Sequence, residues 1–237
     1  MKPFFTYTGG KYRLAPRYPV PAYDTIVEPF AGSAGYSLRY HEKDVLLVDL
    51  DPGVAALWEY LIAASSADVL SLPLYNGTWE STDDLVYLSE GERLLIGGWL
   101  NKGTFGKCPS AWMRSGEHTD QFWGEGRRRR VAEQVPLIKH WKVLHGSYTD
   151  SPDVDATWFI DPPYQIAGVT YVHGSGAIDF SALGQWCRER KGQTIVCEND
   201  GATWLPFRPF VSAHAMRGSR RTGRSAEAVW MSDEDLL

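Results

Sequence analysis

Four short runs of this 237-residue chain are apolar almost throughout: Thr25-Ile26-Val27, Val45-Leu46-Leu47-Val48, Trp158-Phe159-Ile160 and Thr194-Ile195-Val196-Cys197. A strand with one wet face alternates polar and apolar residues, whereas a run that is apolar on both sides is covered on both sides. Helix-like stretches separate these runs, from about Ala34 to Glu42, from Pro52 through Leu61, from Arg127 to His140 and from Phe180 to Arg190. Pro52 suits a first helical turn, where its missing N–H costs nothing. Strand, helix, strand at this spacing predicts an α/β fold, a mostly parallel sheet covered by helices. Lys142 to His145 adds a strand, and Val211 to Ala215 and Ala228 to Met231 close the sheet. Residues 66–125 lose the rhythm and read as an irregular, Gly-, Ser- and Trp-rich insertion. The expected division is one body from 1–65 and 127–237, with a small, mostly helical or irregular 66–126 inserted.

Hydrophobic residues at 43% and aromatics at 13% are ample for a packed core. Cys108, Cys187 and Cys197 are an odd number without CxxC spacing, so neither a disulfide framework nor a metal site is expected. The N-terminus has no signal-peptide pattern, and no run approaches the ~18 apolar residues of a membrane span. The expectation is a soluble, cytoplasmic protein that needs no membrane and no metal.

Three predicted strands end in unusual residues, and in open α/β sheets ligands lie beyond the carboxyl ends of the strands. The first runs into Glu28-Pro29-Phe30-Ala31-Gly32-Ser33-Ala34-Gly35. Small residues there let the backbone turn tightly and approach a ligand closely. The second ends in Val48-Asp49-Leu50-Asp51, where Asp49 suits ribose hydroxyls and Asp51, just before Pro52, suits a helix N-cap. There is no GxGxxG spacing, which disfavours a dinucleotide. The third ends in Asp161-Pro162-Pro163-Tyr164. Two prolines cannot continue a helix or donate within a central sheet, so they fix a rigid extended loop. Such a loop can hold the Asp161 carboxylate and the Pro162 carbonyl as two acceptors for one aromatic amino group, with the Tyr164 ring as a stacking plate. Two acceptors on its hydrogens make that nitrogen more tetrahedral and aim its lone pair for attack.

On these motifs the chain resembles the Dam-type DNA adenine N6-methyltransferases. The resemblance implies a class I methyltransferase fold using S-adenosyl-L-methionine, double-stranded DNA as partner, and a catalytic body with an inserted target-recognition region. It implies cofactor contacts from Tyr7 and Lys11 of Tyr7-Thr8-Gly9-Gly10-Lys11, and from Pro29, Phe30, Ala31, Gly32, Gly35, Asp49, Leu50, Ser147, Tyr148 and Asp161. Tyr7 stands where a tryptophan is familiar in that family. Asp161, Pro162, Pro163 and Tyr164 resemble its catalytic loop, and Cys197-Glu198-Asn199-Asp200 occupies the place of a further polar strand end. No Pro-Cys nucleophile pair of the kind used on cytosine rings is present, since Cys108 precedes its proline.

The formal net charge of -5 alone argues against a polyanionic partner, but its distribution does not. Residues 42–92 hold eleven acids against Lys43, residues 101–147 hold nine Lys/Arg against four acids, and residues 207–225 hold five arginines and no acid. Asn101, Lys102, Lys107, Arg114 and Arg127 in the first basic island are expected DNA contacts. Arg217, Arg220, Arg221 and Arg224 are expected on a flexible basic loop in the second. Both islands are expected on one face, beside Asp161 to Tyr164. The oligomeric state is left open, with a monomer admissible. Exocyclic-amine transfer to cytosine, an RNA or protein substrate, and a catalytically silent DNA-binding protein are the competing readings.

Overall fold

The computed structural model describes residues 1–75, 79–100, 106–114, 122–166, 175–217 and 220–232, with the backbone alone at 112–113 and 211–226. Its centre is a seven-stranded sheet of β1 (Thr25–Glu28), β2 (Asp44–Asp49), β3 (Lys142–His145), β4 (Ala156–Ile160), β5 (Gly192–Asn199), β6 (Arg208–Arg217) and β7 (Arg220–Met231). The strands lie in the order β3-β2-β1-β4-β5-β7-β6. The first five are parallel, and β7 is antiparallel to both β5 and β6. The helices are α1 (Pro52–Ala63), α2 (Ser66–Ser71), α3 (Glu90–Leu100), α4 (Ala111–Arg114), α5 (Glu125–Gln134) and α6 (Phe180–Arg188). The mixed α/β architecture expected from the apolar runs is therefore present, and it is compatible with a Rossmann-like methyltransferase.

Alternate residues of the central strands divide between two cores, as side chains on a pleated strand must. Ile26, Leu47, Phe159, Ile195, Cys197 and Val229 face a large cluster that includes Trp58, Trp141 and Tyr36. Val27, Trp158, Ile160 and Val196 face a second cluster with Leu183 and Cys187 of α6. Chain order reverses between β1 and β4, so the crevice between their carboxyl ends is the switch point where such sheets hold ligands.

The expected helix from Ala34 to Glu42 shrinks to a single 3₁₀ turn, Ser37–Tyr40. Ala34 has a φ of 49°, which no right-handed helix admits. The buried Glu28 carboxylate accepts the Ser37 N–H at 2.7 Å, and the Tyr36 ring stacks on Phe159 with centroids 4.4 Å apart. Asp51 caps α1 as expected, accepting from the Gly53 N–H at 2.8 Å.

Residues 66–125 are less irregular than the sequence suggests. Ser65 and Asp68 form a reciprocal capping box on α2, and the Ser89 N–H donates to the Glu92 carboxylate at the start of α3. Glycines in α3 disguise that helix, and they serve close packing. A Cβ on Gly91 would stand 2.4 Å from the Tyr60 Cβ of α1, and one on Gly97 would stand 2.8 Å from the Gly106 carbonyl oxygen. Leu95, Ile96, Trp99, Phe122 and Trp123 join the large core of the sheet. The Trp99 and Trp123 indoles donate to the carbonyls of Phe4 and Pro73 at 2.6 and 2.9 Å.

The N-terminal segment lies against the glycine turn after β1. A Cβ at Gly35 would stand 2.5 Å from the Tyr12 nitrogen and 2.9 Å from the Lys11 nitrogen, and one at Gly10 would stand 2.8 Å from Ser33 Oγ. Gly32 has a φ of 43°, and its carbonyl accepts the buried Trp58 indole N–H at 2.8 Å. Gly35→Ala should therefore displace the segment around Lys11 and Tyr12 and cost about 1–3 kcal/mol, the usual penalty of overpacking. Thermal unfolding measures this, and an alanine variant that melts with wild type would show that the two segments do not depend on close contact.

Candidate active site

Beyond the carboxyl ends of β1, β2 and β4 lies a cavity of about 340 Å³. Every residue expected to contact the cofactor lines it: Tyr7, Lys11, Pro29, Phe30, Ala31, Gly32, Gly35, Asp49, Leu50, Ser147, Tyr148 and Asp161. Of the expected catalytic four, Asp161 and Pro163 line it; Pro162 is buried behind them, and Tyr164 stands half-buried beside Lys11.

The end of β2 is tied to the glycine turn through one carboxylate. Asp49 Oδ2 accepts the Gly32 N–H and Oδ1 accepts the Asp51 N–H, both at 2.9 Å. Asp49 itself lines the cavity. Phe30 and Tyr148 stack with centroids 5.6 Å apart, giving the same wall a flat aromatic surface.

The end of β4 holds a buried ion pair. Lys11 Nζ donates to Asp161 Oδ2 at 2.9 Å and to the Gly9 carbonyl at 3.0 Å, and it lies 2.8 Å from Asp161 Oδ1. It also lies 4.8 Å from the centre of the Tyr164 ring. Burial works against the Lys11 charge, but the Asp161 and Glu227 carboxylates outweigh it and hold the ammonium above the usual lysine range. Burial pushes the Asp161 carboxyl up while Lys11 pulls it back. Asp161 Oδ1 is buried and has the Lys11 ammonium, 2.8 Å away, as its ionic partner. That close contact offsets part of the cost of burying the carboxylate.

Several cavity residues were absent from the sequence-based set. Glu28 belongs to the glycine motif but was not assigned a role, and it lines the cavity while buried. Burial pushes its carboxyl up to about 8; the Ser37 N–H pulls it back, and Asp161 pushes it further up. Ile178 and Asp179 reach the cavity from the turn before α6, and Asp179 caps that helix through the Ser181 and Ala182 N–H groups. Only an N-cap signal could have pointed to Asp179. Thr8, Gly9, Gly10, Ser33, Asp51, Phe159 and Ala177 complete the wall.

The expected DNA contacts divide. Lys107 is ion-paired with Asp83 at 2.9 Å, Arg114 Nε donates to the Pro109 carbonyl at 3.2 Å, and the Arg127 guanidinium lies 4.5 Å over the Trp99 ring. Arg128 and Arg129 both hold Glu125, and Arg130 reaches the Pro3 carbonyl. Asn101 and Lys102 lie outside the described residues. Arg217, Arg220, Arg221 and Arg224 are not on a loop but on paired strands, with Arg217 opposite Arg220, Met216 opposite Arg221 and His214 opposite Arg224. Strand pairing uses main-chain groups common to all residues, so a Gly- and Arg-rich composition did not prevent it. Their side chains lie outside the described residues, and with them the expectation of a single basic face.

Among the described residues, no group of three or more His, Cys, Asp or Glu could hold a metal ion. No helix among them is long and apolar enough to cross a membrane.

Residues 7–89 match the family model of the D12 class N6 adenine-specific DNA methyltransferases, a family of enzymes. The matched stretch contains the Tyr7 to Lys11 segment, the glycine turn and Asp49, and it bears out the resemblance to Dam-type adenine methyltransferases. Curated proteins give no match. A solved structure described as a conserved hypothetical protein of Streptococcus pyogenes is similar at 10% identity, over 94% of this chain and 93% of that one, with a TM-score of 0.36.

The buried Glu28 carboxyl predicts a pH dependence of stability. Its folded pKa, about 8, is raised above the ordinary 4.5. The folded state therefore retains a proton that the unfolded state has lost, and stability contributed by neutral Glu28 falls as pH rises through that window. Glu28→Gln keeps an acceptor for the Ser37 N–H and cannot ionise. The melting temperature of the variant should gain on wild type from about pH 5 to 8 and hold its lead above that. A constant difference across the range would mean that Glu28 is ionised throughout.

Proposed function

We propose that this chain, whose residues 7–89 carry a D12 class N6 adenine-specific DNA methyltransferase domain, transfers a methyl group from S-adenosyl-L-methionine to the N6 amino group of an adenine turned out of duplex DNA. The observation that carries this reading is the buried Asp161 carboxylate. It stands at the end of β4, with both oxygens within 2.9 Å of the Lys11 ammonium, on a cavity shared with the glycine turn and Asp49.

The cavity fits the cofactor in size and in the chemistry of its walls. Asp49 would accept from the ribose hydroxyls, Leu50 and the stacked Phe30 and Tyr148 would cover the adenine, and Tyr7, Lys11 and the 29–35 turn would enclose the amino-acid part. S-adenosyl-L-methionine, when bound, supplies a methyl group on a positively charged sulfur. Asp161 and the Pro162 carbonyl would accept the two hydrogens of the target amino group and turn its lone pair out of conjugation with the ring. Tyr164 would stack on the extruded base, offsetting part of the few kcal/mol that unstacking costs. The nitrogen gains a carbon and must then lose a proton, which the Asp161 carboxylate, one of its two hydrogen-bond acceptors in this arrangement, would take. The work of the protein is thus positioning, without a covalent enzyme intermediate. The seven-stranded order, with an antiparallel hairpin at one edge, supports a class I methyltransferase sheet. Beyond Glu227 the β6–β7 hairpin continues past the end of β5 at Asn199, on the side of the sheet where the cavity lies. Its four arginines would meet DNA phosphates there. Asn101, Lys102, Lys107, Arg114 and Arg127 remain candidates for contacts from the 66–126 region.

Asp161→Asn keeps the shape of the site and removes the carboxylate charge. Transfer of radiolabelled methyl groups to duplex DNA should fall by about 10²–10⁴-fold. The melting temperature should also drop, because the buried Lys11 ammonium loses its counter-charge, and circular dichroism at the assay temperature checks that the variant is still folded. Transfer at the wild-type rate would overturn the assignment.

A further inference from the structure

Two carboxylates hold the loop after β4 from opposite faces of the sheet. In the antiparallel pair β5–β7, Asn199 stands opposite Glu227 and Glu198 stands opposite Ala228. Successive strand residues point to opposite faces, so Glu227 and Glu198 leave the sheet on different sides. The neighbouring residues agree, with Cys197 and Val229 in one core and Val196 and Ala228's neighbour Trp230 against the other. Glu227 Oε2 accepts the Tyr164 hydroxyl at 2.6 Å. Glu198 Oε2 accepts the Gln165 N–H at 3.0 Å and the Trp204 indole N–H at 2.9 Å, and its Oε1 accepts the Asn199 N–H at 2.8 Å. Glu227 is 7% exposed and Glu198 is fully buried.

A buried carboxyl group is costly unless hydrogen bonds compensate it, so neither position suits a glutamate without a task. The two prolines fix the backbone only as far as Pro163. Beyond them, the Tyr164 side chain could swing about its own torsions. Stacking on a base uses the ring and not the hydroxyl, so phenylalanine would stack equally well. What the hydroxyl adds is a tether to β7, and Lys11 near the ring centre restrains the other end.

Resting on the methyl-transfer reading above, we propose that Glu227 is a positioning residue for that reaction: through the Tyr164 hydroxyl it fixes the plane of the ring on which the target base stacks. Glu198 holds the next backbone amide, so the loop is anchored on both sides of its tyrosine. The hairpin that carries the arginines of β7 is thereby joined directly to the catalytic loop.

The test is a double-mutant cycle of Glu227→Ala and Tyr164→Phe, with Glu227→Gln as the conservative variant. Single-turnover methyl transfer is measured on DNA from a host lacking methylation, with melting curves to check folding. Each single change should slow transfer about tenfold, the double variant should be no slower than either single one, and the KM for S-adenosyl-L-methionine should stay within about twofold. Glu227→Gln, which retains an acceptor, should recover most of the rate. Equal losses from Glu227→Ala in the tyrosine and phenylalanine backgrounds would overturn the proposal. A second readout is the Tyr164 ring signal in protein carrying ¹³C-labelled tyrosine, assigned by its loss in Tyr164→Phe. That signal should shift in Glu227→Ala and stay near its place in Glu227→Gln; an unchanged signal in the alanine variant would also overturn the tether. A wild-type protein that transfers no methyl group would refute the methyl-transfer reading, while the ring signal would still decide the tether.

Discussion

A buried ammonium and carboxylate join the first turn of the chain to the end of its central strand. Lys11 and Asp161 are 150 residues apart in sequence and 2.8 Å apart in space. Removing two charges from water costs several kcal/mol each, and only close mutual contact and further hydrogen bonds offset it. Neither group could occupy its place without the other. Because Lys11 sits on backbone that touches Gly35, the pair also sets the distance between the N-terminal segment and the glycine turn. Asp49 then links that turn to the end of β2. Three strand ends and the N-terminal segment are thereby fixed around one cavity, which Asp161 itself lines.

Much of this was legible in the sequence because the informative residues sit where the backbone is most restricted. Apolar runs gave the central strands, and Gly32, Gly35 and the Pro162-Pro163 pair announced tight or rigid turns at their ends. The twelve residues that the family resemblance implies as cofactor contacts, Tyr7, Lys11, Ser147 and Tyr148 on that ground alone, line a single cavity. The losses have equally local causes. The helix expected from Ala34 was cut short by a left-handed residue and a side-chain carboxylate, neither of which a propensity pattern registers. The helix from Glu90 to Leu100 was hidden by glycines that permit close approach to α1. Glu227 was missed, and Glu198 was noted only as part of a polar strand end, because their partners, Tyr164 and Gln165, come from a loop that reaches them only in three dimensions.

Charge reads differently from sequence and from structure. The island at 101–147 is basic in composition, yet Arg128 and Arg129 share Glu125, Lys107 pairs with Asp83, and Lys139 donates to the carbonyls of Ile62 and Ala64. Much of its charge is spent on holding helices and loops together. The second island lies on strands that extend past the carboxyl edge of the sheet. On that ground the hairpin is a stronger candidate for phosphate contact than the arginine run of α5.

The central claim concerns which atom receives the methyl group. Expressing the protein in a host that lacks DNA methylation, and mapping modified bases across its genome by sequencing, tests this most directly. The account predicts N6-methyladenine at a defined short sequence, absent when Asp161 is changed to asparagine. Unmodified DNA, or DNA carrying only N4-methylcytosine, would contradict it.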